Sequence, residues 1–242
     1  MVKQMLNENF HVFLQRLKVI EVTSFPGESA HLPSHFIQSF PSLEKLILSD
    51  AFSEETILHE LKHPVVEDPL IVDAFKNLET LQVLECSRMK VLMSSSASFQ
   101  SLTTLEVSKC HGLMNLMTAS VARSLEQLKR MNIKECEIVQ EIVASEADAP
   151  KDEIEFSKLK YLTLHALPSL KSFCSGPYAF NFPSLEEVII RECPSMKIFA
   201  QGVLATQKLW RIQTGEFEYE WEWEGDLNKT IEALSIPGNG ME

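Results

Sequence analysis

The sequence predicts an α/β solenoid, a stack of near-identical strand-and-return units sharing one curved parallel sheet. Three observations predict it. The frame L-x-x-L-x-L, with aliphatic substitutes, occurs eight times: Leu17/Ile20/Val22, Leu43/Leu46/Leu48, Leu78/Leu81/Val83, Leu102/Leu105/Val107, Leu128/Met131/Ile133, Leu159/Leu162/Leu164, Leu185/Val188/Ile190 and, more weakly, Leu209/Ile212/Thr214. First positions are 26, 35, 24, 26, 31, 26 and 24 residues apart, which centres on the roughly 20 to 29 residue period of leucine-rich repeats. An aromatic stands three residues before the first leucine in five units, at Phe40, Phe75, Phe99, Phe156 and Phe182.

Each unit begins with that anchor, an apolar residue packed beneath the coming strand. Within the frame, the last two aliphatics alternate with polar residues at period two, which marks a half-buried strand. The next shared position holds Cys86, Cys110, Cys136, Leu167 and Cys193, and apolar residues follow at spacings of three and six: Leu113 and Leu116, Val139 and Ile142, Leu170 and Phe173. A spacing of three suits a helical turn or tight coil, so irregular or short helical returns are expected on the convex face. One unit cannot bury its own apolar stripe, so units stack into a horseshoe with the parallel strands on the concave side. Burying each aliphatic contributes about 1.5 to 3 kcal/mol, and several per unit offset the ordering of the chain.

The whole of 1–234 reads as one leucine-rich-repeat domain of about eight repeats with a C-terminal cap at 209–234, followed by a loose tail at 235–242. Solenoid ends need covering. From 216 to 224, glutamates alternate with Phe217, Tyr219, Trp221 and Trp223, which in a strand puts four aromatics on one face and the acids on the other. This is the expected cap; a carbohydrate platform is the sharper alternative. The frame is already in phase at Leu17, which points to further units upstream in a longer receptor. The long intervals hold insertions at 54–69 and at 145–155, the latter (SEADAPKDEIE) acidic and read as a solvated loop.

Composition narrows the function. The chain has 242 residues, 45% hydrophobic and 23% charged, with a net charge of −12, which repels nucleic acid. No apolar run of membrane-spanning length or secretory leader is present. The five cysteines form no C-x-x-C, and four of them share one repeat phase as inward-turned thiols, which favours a reducing compartment and a cytoplasmic protein. Asn228-Lys229-Thr230 is a formal glycosylation triplet that means little without a secretion signal. No phosphate-binding glycine loop occurs, so no nucleotide or other cofactor is expected.

One catalytic motif needs an answer. His59, Glu60 and His63 spell H-E-x-x-H, which on a helix sets two imidazoles one turn apart for zinc with the glutamate as base. Pro64 would end that helix at once, and Val66 and Pro69 stand where the extended pattern requires Gly and His. The match is read as accidental and the chain as non-enzymatic, with zinc peptidase kept as the alternative. Recognition then falls to the concave face. Its candidate residues are Lys129, Arg130, Asn132 and Lys134 in one unit, Lys160, Tyr161, Thr163 and His165 in the next, and Arg191 in the one after. With strands about 4.8 Å apart, Lys129, Arg130 and Lys160 are expected to form one basic patch facing a partner's carboxylates.

The runs F-P-S-L-E-x-L-x-L (Phe40 to Leu48), F-P-S-L-E-E-V-I-I-R-E-C-P-S-M-K-I-F (Phe182 to Phe199) and the stretch Gly202 to Leu227, ending W-E-W-E-G-D-L, carry a further signal. They resemble the C-terminal leucine-rich-repeat region of plant coiled-coil, nucleotide-binding, leucine-rich-repeat disease resistance proteins. The resemblance spans roughly Leu17 to Ile231. It implies an innate immune module that senses pathogen effectors, or host proteins they modify, and that folds back on a nucleotide-binding module to hold it inactive. The chain lacks a phosphate loop and a signalling module, so ATP-dependent switching does not carry over. Substrate capture for ubiquitin ligation is a further alternative, which an F-box-like helical segment would favour.

Overall fold

A computed structural model describes residues 14–23, 40–50, 75–90, 92–93, 99–145, 153–215, 217 and 219–235. In chain order the strands are β1 Val19–Thr23, β2 Lys45–Ser49, β3 Thr80–Leu84, β4 Thr104–Ser108, β5 Asn115–Thr118, β6 Arg130–Lys134, β7 Glu141–Ala144, β8 Ile154–Glu155, β9 Tyr161–His165, β10 Phe180–Asn181, β11 Glu187–Arg191, β12 Leu204–Ala205, β13 Ile212–Gln213 and β14 Trp221–Glu222. Helix α1 is Ala119–Ser124 and α2 is Leu227–Leu234.

All eight repeat frames lie in one sheet, ordered β1-β2-β3-β4-β6-β9-β11-β13-β14. From β1 to β13 neighbours are parallel, and the frame aliphatics stand in register: Leu81 beside Leu105, Leu105 beside Met131, Met131 beside Leu162 and Leu162 beside Val188. Their side chains share one face and are buried from β2 onward, while the residues between them stay half exposed. That alternation is the period-two pattern of the frame realised in three dimensions.

The aromatic anchors do two jobs. The amide of the first leucine donates back to the anchor carbonyl in every unit, as Leu43 to Phe40, Leu102 to Phe99, Leu159 to Phe156 and Leu185 to Phe182. The rings also stack from rung to rung, Phe75 on Phe99 with centroids 5.1 Å apart and Phe156 on Phe182 at 5.3 Å. Phe173 joins that second stack edge-on to Phe156, Phe180 and Phe182 and face-on to Phe199 at 4.7 Å. Offset and edge-to-face pairs of this kind add about 0.5 to 1.5 kcal/mol each beyond burial.

The cysteine phase is a corner. The residue just before it has a positive φ in six units: Asp50 (45°), Glu85 (58°), Lys109 (55°), Glu135 (52°), Ala166 (53°) and Glu192 (52°). This left-handed residue swings the chain off the sheet, and the following thiol turns inward. The Cys86 thiol reaches the Leu48 carbonyl of the preceding rung at 3.8 Å, Cys110 that of Val83 at 3.7 Å, and Cys193 that of Leu164 at 3.6 Å. All five cysteines are free. Gly112 sits where this corner crosses the previous one, and a Cβ there would come within 2.6 Å of the Ser87 carbonyl oxygen.

The returns take the irregular form of the two expected, with little helix. Among the described residues only α1, six residues long, is helical on a return; the rest is turn and coil with short parallel ladders, β5 with β7 and β8 with β10 with β12. Isolated bridges Glu141 to Ser172 and Cys174 to Ala200 continue the first of these. The reason is backbone satisfaction: a stacked extended return offers its amides to the next rung, as Phe173 to the Phe199 carbonyl at 2.8 Å, whereas single helical turns would leave them unpaired.

The C-terminal end departs from expectation. Among the described residues of the predicted aromatic strand over 216–224, only β14 is strand, and it pairs antiparallel with β13. The chain turns before it: the amides of Thr214 and Gly215 both donate to the Glu220 carbonyl, and the Phe217 amide to the Glu220 carboxylate at 3.1 Å. Phe217, Tyr219 and Trp221 therefore face outward, and only Trp223 packs against the core. Burial at this end comes instead from α2, which puts Leu227, Thr230 and Ile231 inside. Asp226 caps it by accepting from the Lys229 amide at 2.8 Å.

Asn228 completes the ladder. Its Oδ1 accepts from the amides of Phe199 (2.9 Å) and Ala200 (3.1 Å), and its Nδ2 donates to the Ala200 carbonyl at 2.9 Å. The carboxamide thus makes the bonds that a further rung's backbone would make. The same geometry occupies the nitrogen that a glycan would need, and Thr230 is fully buried.

Candidate protein-binding face

The polar residues between the buried aliphatics form straight columns across the sheet, because each strand is paired without slippage. One column runs Thr80, Thr104, Arg130, Tyr161, Glu187; the next Gln82, Glu106, Asn132, Thr163, Ile189; the third Leu84, Ser108, Lys134, His165, Arg191. All nine candidates fall on or immediately before three consecutive strands, β6, β9 and β11, and so lie side by side.

Their pairing is more specific than an open basic patch. Lys129 and Lys160 precede neighbouring strands, and Glu186 precedes the one after. The Lys160 ammonium hydrogen-bonds Glu186 at 2.9 Å. That bond, with the attraction of the carboxylate, raises the lysine above its ordinary range. Lys160 is thus paired within the sheet with Glu186. Flanked by Lys129 on one side and Glu186 on the other, it takes the opposite charge. The pair is surface exposed and adds little stability. Arg130 lies over the Tyr161 ring, its guanidinium carbon 4.4 Å from the ring centroid.

The third column is basic across three rungs, Lys134, His165 and Arg191. His165 Nε2 lies 3.2 Å from Glu192 Oε1, and Arg191 Nε donates to the Gly215 carbonyl. Arg191 Nη2 and Asn132 Oδ1 are buried without a hydrogen-bond partner. In the acidic flank, Gln82 Nε2 donates to Glu106 Oε2 at 2.5 Å, so that carboxylate is also tied to its neighbour.

Sequence reasoning found the columns but missed these neighbours. The Lys160 and Glu186 pair was available from the repeat register alone. The Asn228 closure carried a signal too: Asp226 followed by Leu227, Thr230, Ile231 and Leu234 is a capped amphipathic helix.

Other chemistry finds no support in the described residues. Among them no group of three or more His, Cys, Asp or Glu could hold a metal ion, and no helix is long and apolar enough to cross a membrane. His59, Glu60 and His63 lie outside the described residues, as do 54–69 and most of the acidic insertion. Burial pushes the Cys174 and Cys193 thiols up to about 11, while hydrogen bonding within the Cys110 and Cys136 pair raises the first and lowers the second.

Comparison with known proteins agrees with the ladder. A search of the curated proteins finds no match. The family model for plant disease resistance protein RPS2-like leucine-rich repeats matches residues 1–137 and 92–213. With the repeat frames that those spans contain already seen as eight paired strands, the chain belongs to the RPS2-like leucine-rich-repeat family of plant disease resistance proteins.

Proposed function

We propose that this chain is a non-catalytic recognition module of a cytoplasmic innate immune receptor, and that its concave sheet binds a pathogen effector or an effector-modified host protein. The observation that carries the reading is the strip on β6, β9 and β11, where Arg130 is stacked in place on Tyr161 and a basic column adjoins it. Pre-ordered side chains lose less entropy on binding than free ones, and Arg and Tyr dominate protein interfaces. In a longer receptor the same module would also contact the nucleotide-binding module and help hold it inactive.

The test is to identify the partner by proximity labelling in infected and uninfected plant tissue and titrate it against Lys129→Glu/Arg130→Glu. Affinity should fall at least about tenfold, the loss of one good charged contact, with circular dichroism unchanged. Unaltered affinity in a folded variant refutes the assignment. Metal analysis of the purified protein should return no stoichiometric zinc; stoichiometric zinc lost in His63→Ala would favour the peptidase instead.

A further inference from the structure

The hairpin at the C-terminal edge of the sheet exposes aromatic surface that the fold does not use. Trp210 is 55% exposed, Phe217 54%, Tyr219 72% and Trp221 44%. They are ordered against one another rather than scattered: Trp210 and Trp221 meet edge to face at 5.9 Å, and Phe217 stacks on Tyr219 at 5.3 Å with the planes 2° from parallel. Isolated exposed apolar residues are ordinary, but two ring pairs exposed on one hairpin are the kind of apolar surface that marks an interaction site.

Its charge selects the occupant. Residues 216–226 hold six acids and no base, in a chain whose whole excess is −12. The Glu220 carboxylate is used by the turn, accepting from the Phe217 amide, and Asp226 by the α2 cap. Glu222 and Glu224 remain exposed on the same segment. Rings with carboxylates around them attract cations twice over, through the negative ring face and through charge. The chain's own Arg211 already displays this chemistry, its guanidinium lying 4.6 Å above the Trp210 ring.

We infer that this hairpin is a second docking surface beyond the basic strip on β6, β9 and β11, and that it binds an Arg- or Lys-bearing segment of a partner protein by seating cationic side chains on the exposed Tyr219 and Trp221 rings of this acidic segment. The surface lies at the end of the sheet, next to β11, whose Arg191 donates to the Gly215 carbonyl.

The experiment uses the full chain and a fluorescently labelled synthetic peptide of alternating arginine and serine, with an alternating glutamine and serine peptide as control. Fluorescence anisotropy should show binding of the arginine peptide only, weakening as salt rises. Tyr219→Ala/Trp221→Ala and Glu222→Gln/Glu224→Gln should each weaken it on the order of tenfold. Lys129→Glu/Arg130→Glu should bind the peptide undiminished, which separates this surface from the concave one. Should the double aromatic variant fail to fold, Tyr219→Ala alone, at the most exposed ring, serves, with a smaller loss expected. Equal binding by the wild type and the aromatic variant means attraction by net charge alone and overturns the inference. So does binding of a neutral oligosaccharide that survives Glu222→Gln/Glu224→Gln, or self-association of the chain abolished by Trp221→Ala without peptide binding.

Discussion

The central rungs and the C-terminal end solve the same problem by different means. In β4, β6, β9 and β11 each backbone is satisfied by the next rung, and each apolar stripe by a neighbour of the same shape. After β11 the repeat thins: β13 has two residues, its frame position Thr214 is polar, and β14 runs the other way. There the ladder is closed by chemistry outside the repeat, a carboxamide on α2 in place of a strand. Repetition needs only aliphatic side chains at a fixed phase, whereas termination needs a particular polar residue at a particular place.

The comparison breaks most sharply in the middle. Phe182 is fully buried and touches the rings of Phe156, Phe173, Phe180 and Phe199. Phe182→Ala should cost about 3 to 5 kcal/mol, read as a lowered urea midpoint. At the end, Asn228→Ala strands two amides and a carbonyl at once and should cost about 2 to 3 kcal/mol. Its effect should be local: amide exchange should quicken at Phe199 and Ala200 while β4 and β6 keep their protection. Quickening everywhere would show that the end and the middle are one cooperative unit.

A third test uses the thiols. Cys174 and Cys193 are held up to about 11 by burial, against an ordinary 9.0. Below pH 9 both folded and unfolded thiols keep their protons, so stability is flat. Between pH 9 and 11 only the unfolded thiol ionises, so stability falls as pH rises. The slope of the melting temperature in that window should be shallower in Cys174→Ala and Cys193→Ala. The smallest effect belongs to a corner: Ala166 sits at φ 53° with a Cβ that disfavours it. Ala166→Gly should stabilise by about 0.5 to 1 kcal/mol or less, measured by denaturant titration.

The rungs were legible because burial imposes a phase: Leu46, Leu81, Leu105, Leu162 and Val188 must all face one way, and the spacing records it. The corners were not, since Glu85, Lys109, Glu135, Ala166 and Glu192 carry no left-handed preference and adopt it because the rung forces the turn. Only Asp50 would have hinted at it. The aromatic strand at 216–224 was misread because alternation alone cannot tell a strand from a turn whose acids bond its own backbone. The candidate strip was legible by position and not by charge. Lys129, Arg130 and Lys160 are neighbours, as the register requires, yet Lys160 answers to Glu186 and Arg130 to Tyr161.

The most direct test of the account sets the two faces of the sheet against each other. Arg130→Glu changes the concave strip; Lys171→Glu changes an exposed lysine on the return ladder, whose ammonium bonds Gln140 Oε1. Titrated with the partner from labelled tissue, Arg130→Glu should lose affinity and Lys171→Glu should match the wild type. Full affinity in Arg130→Glu together with loss in Lys171→Glu would place recognition on the convex side and contradict the account.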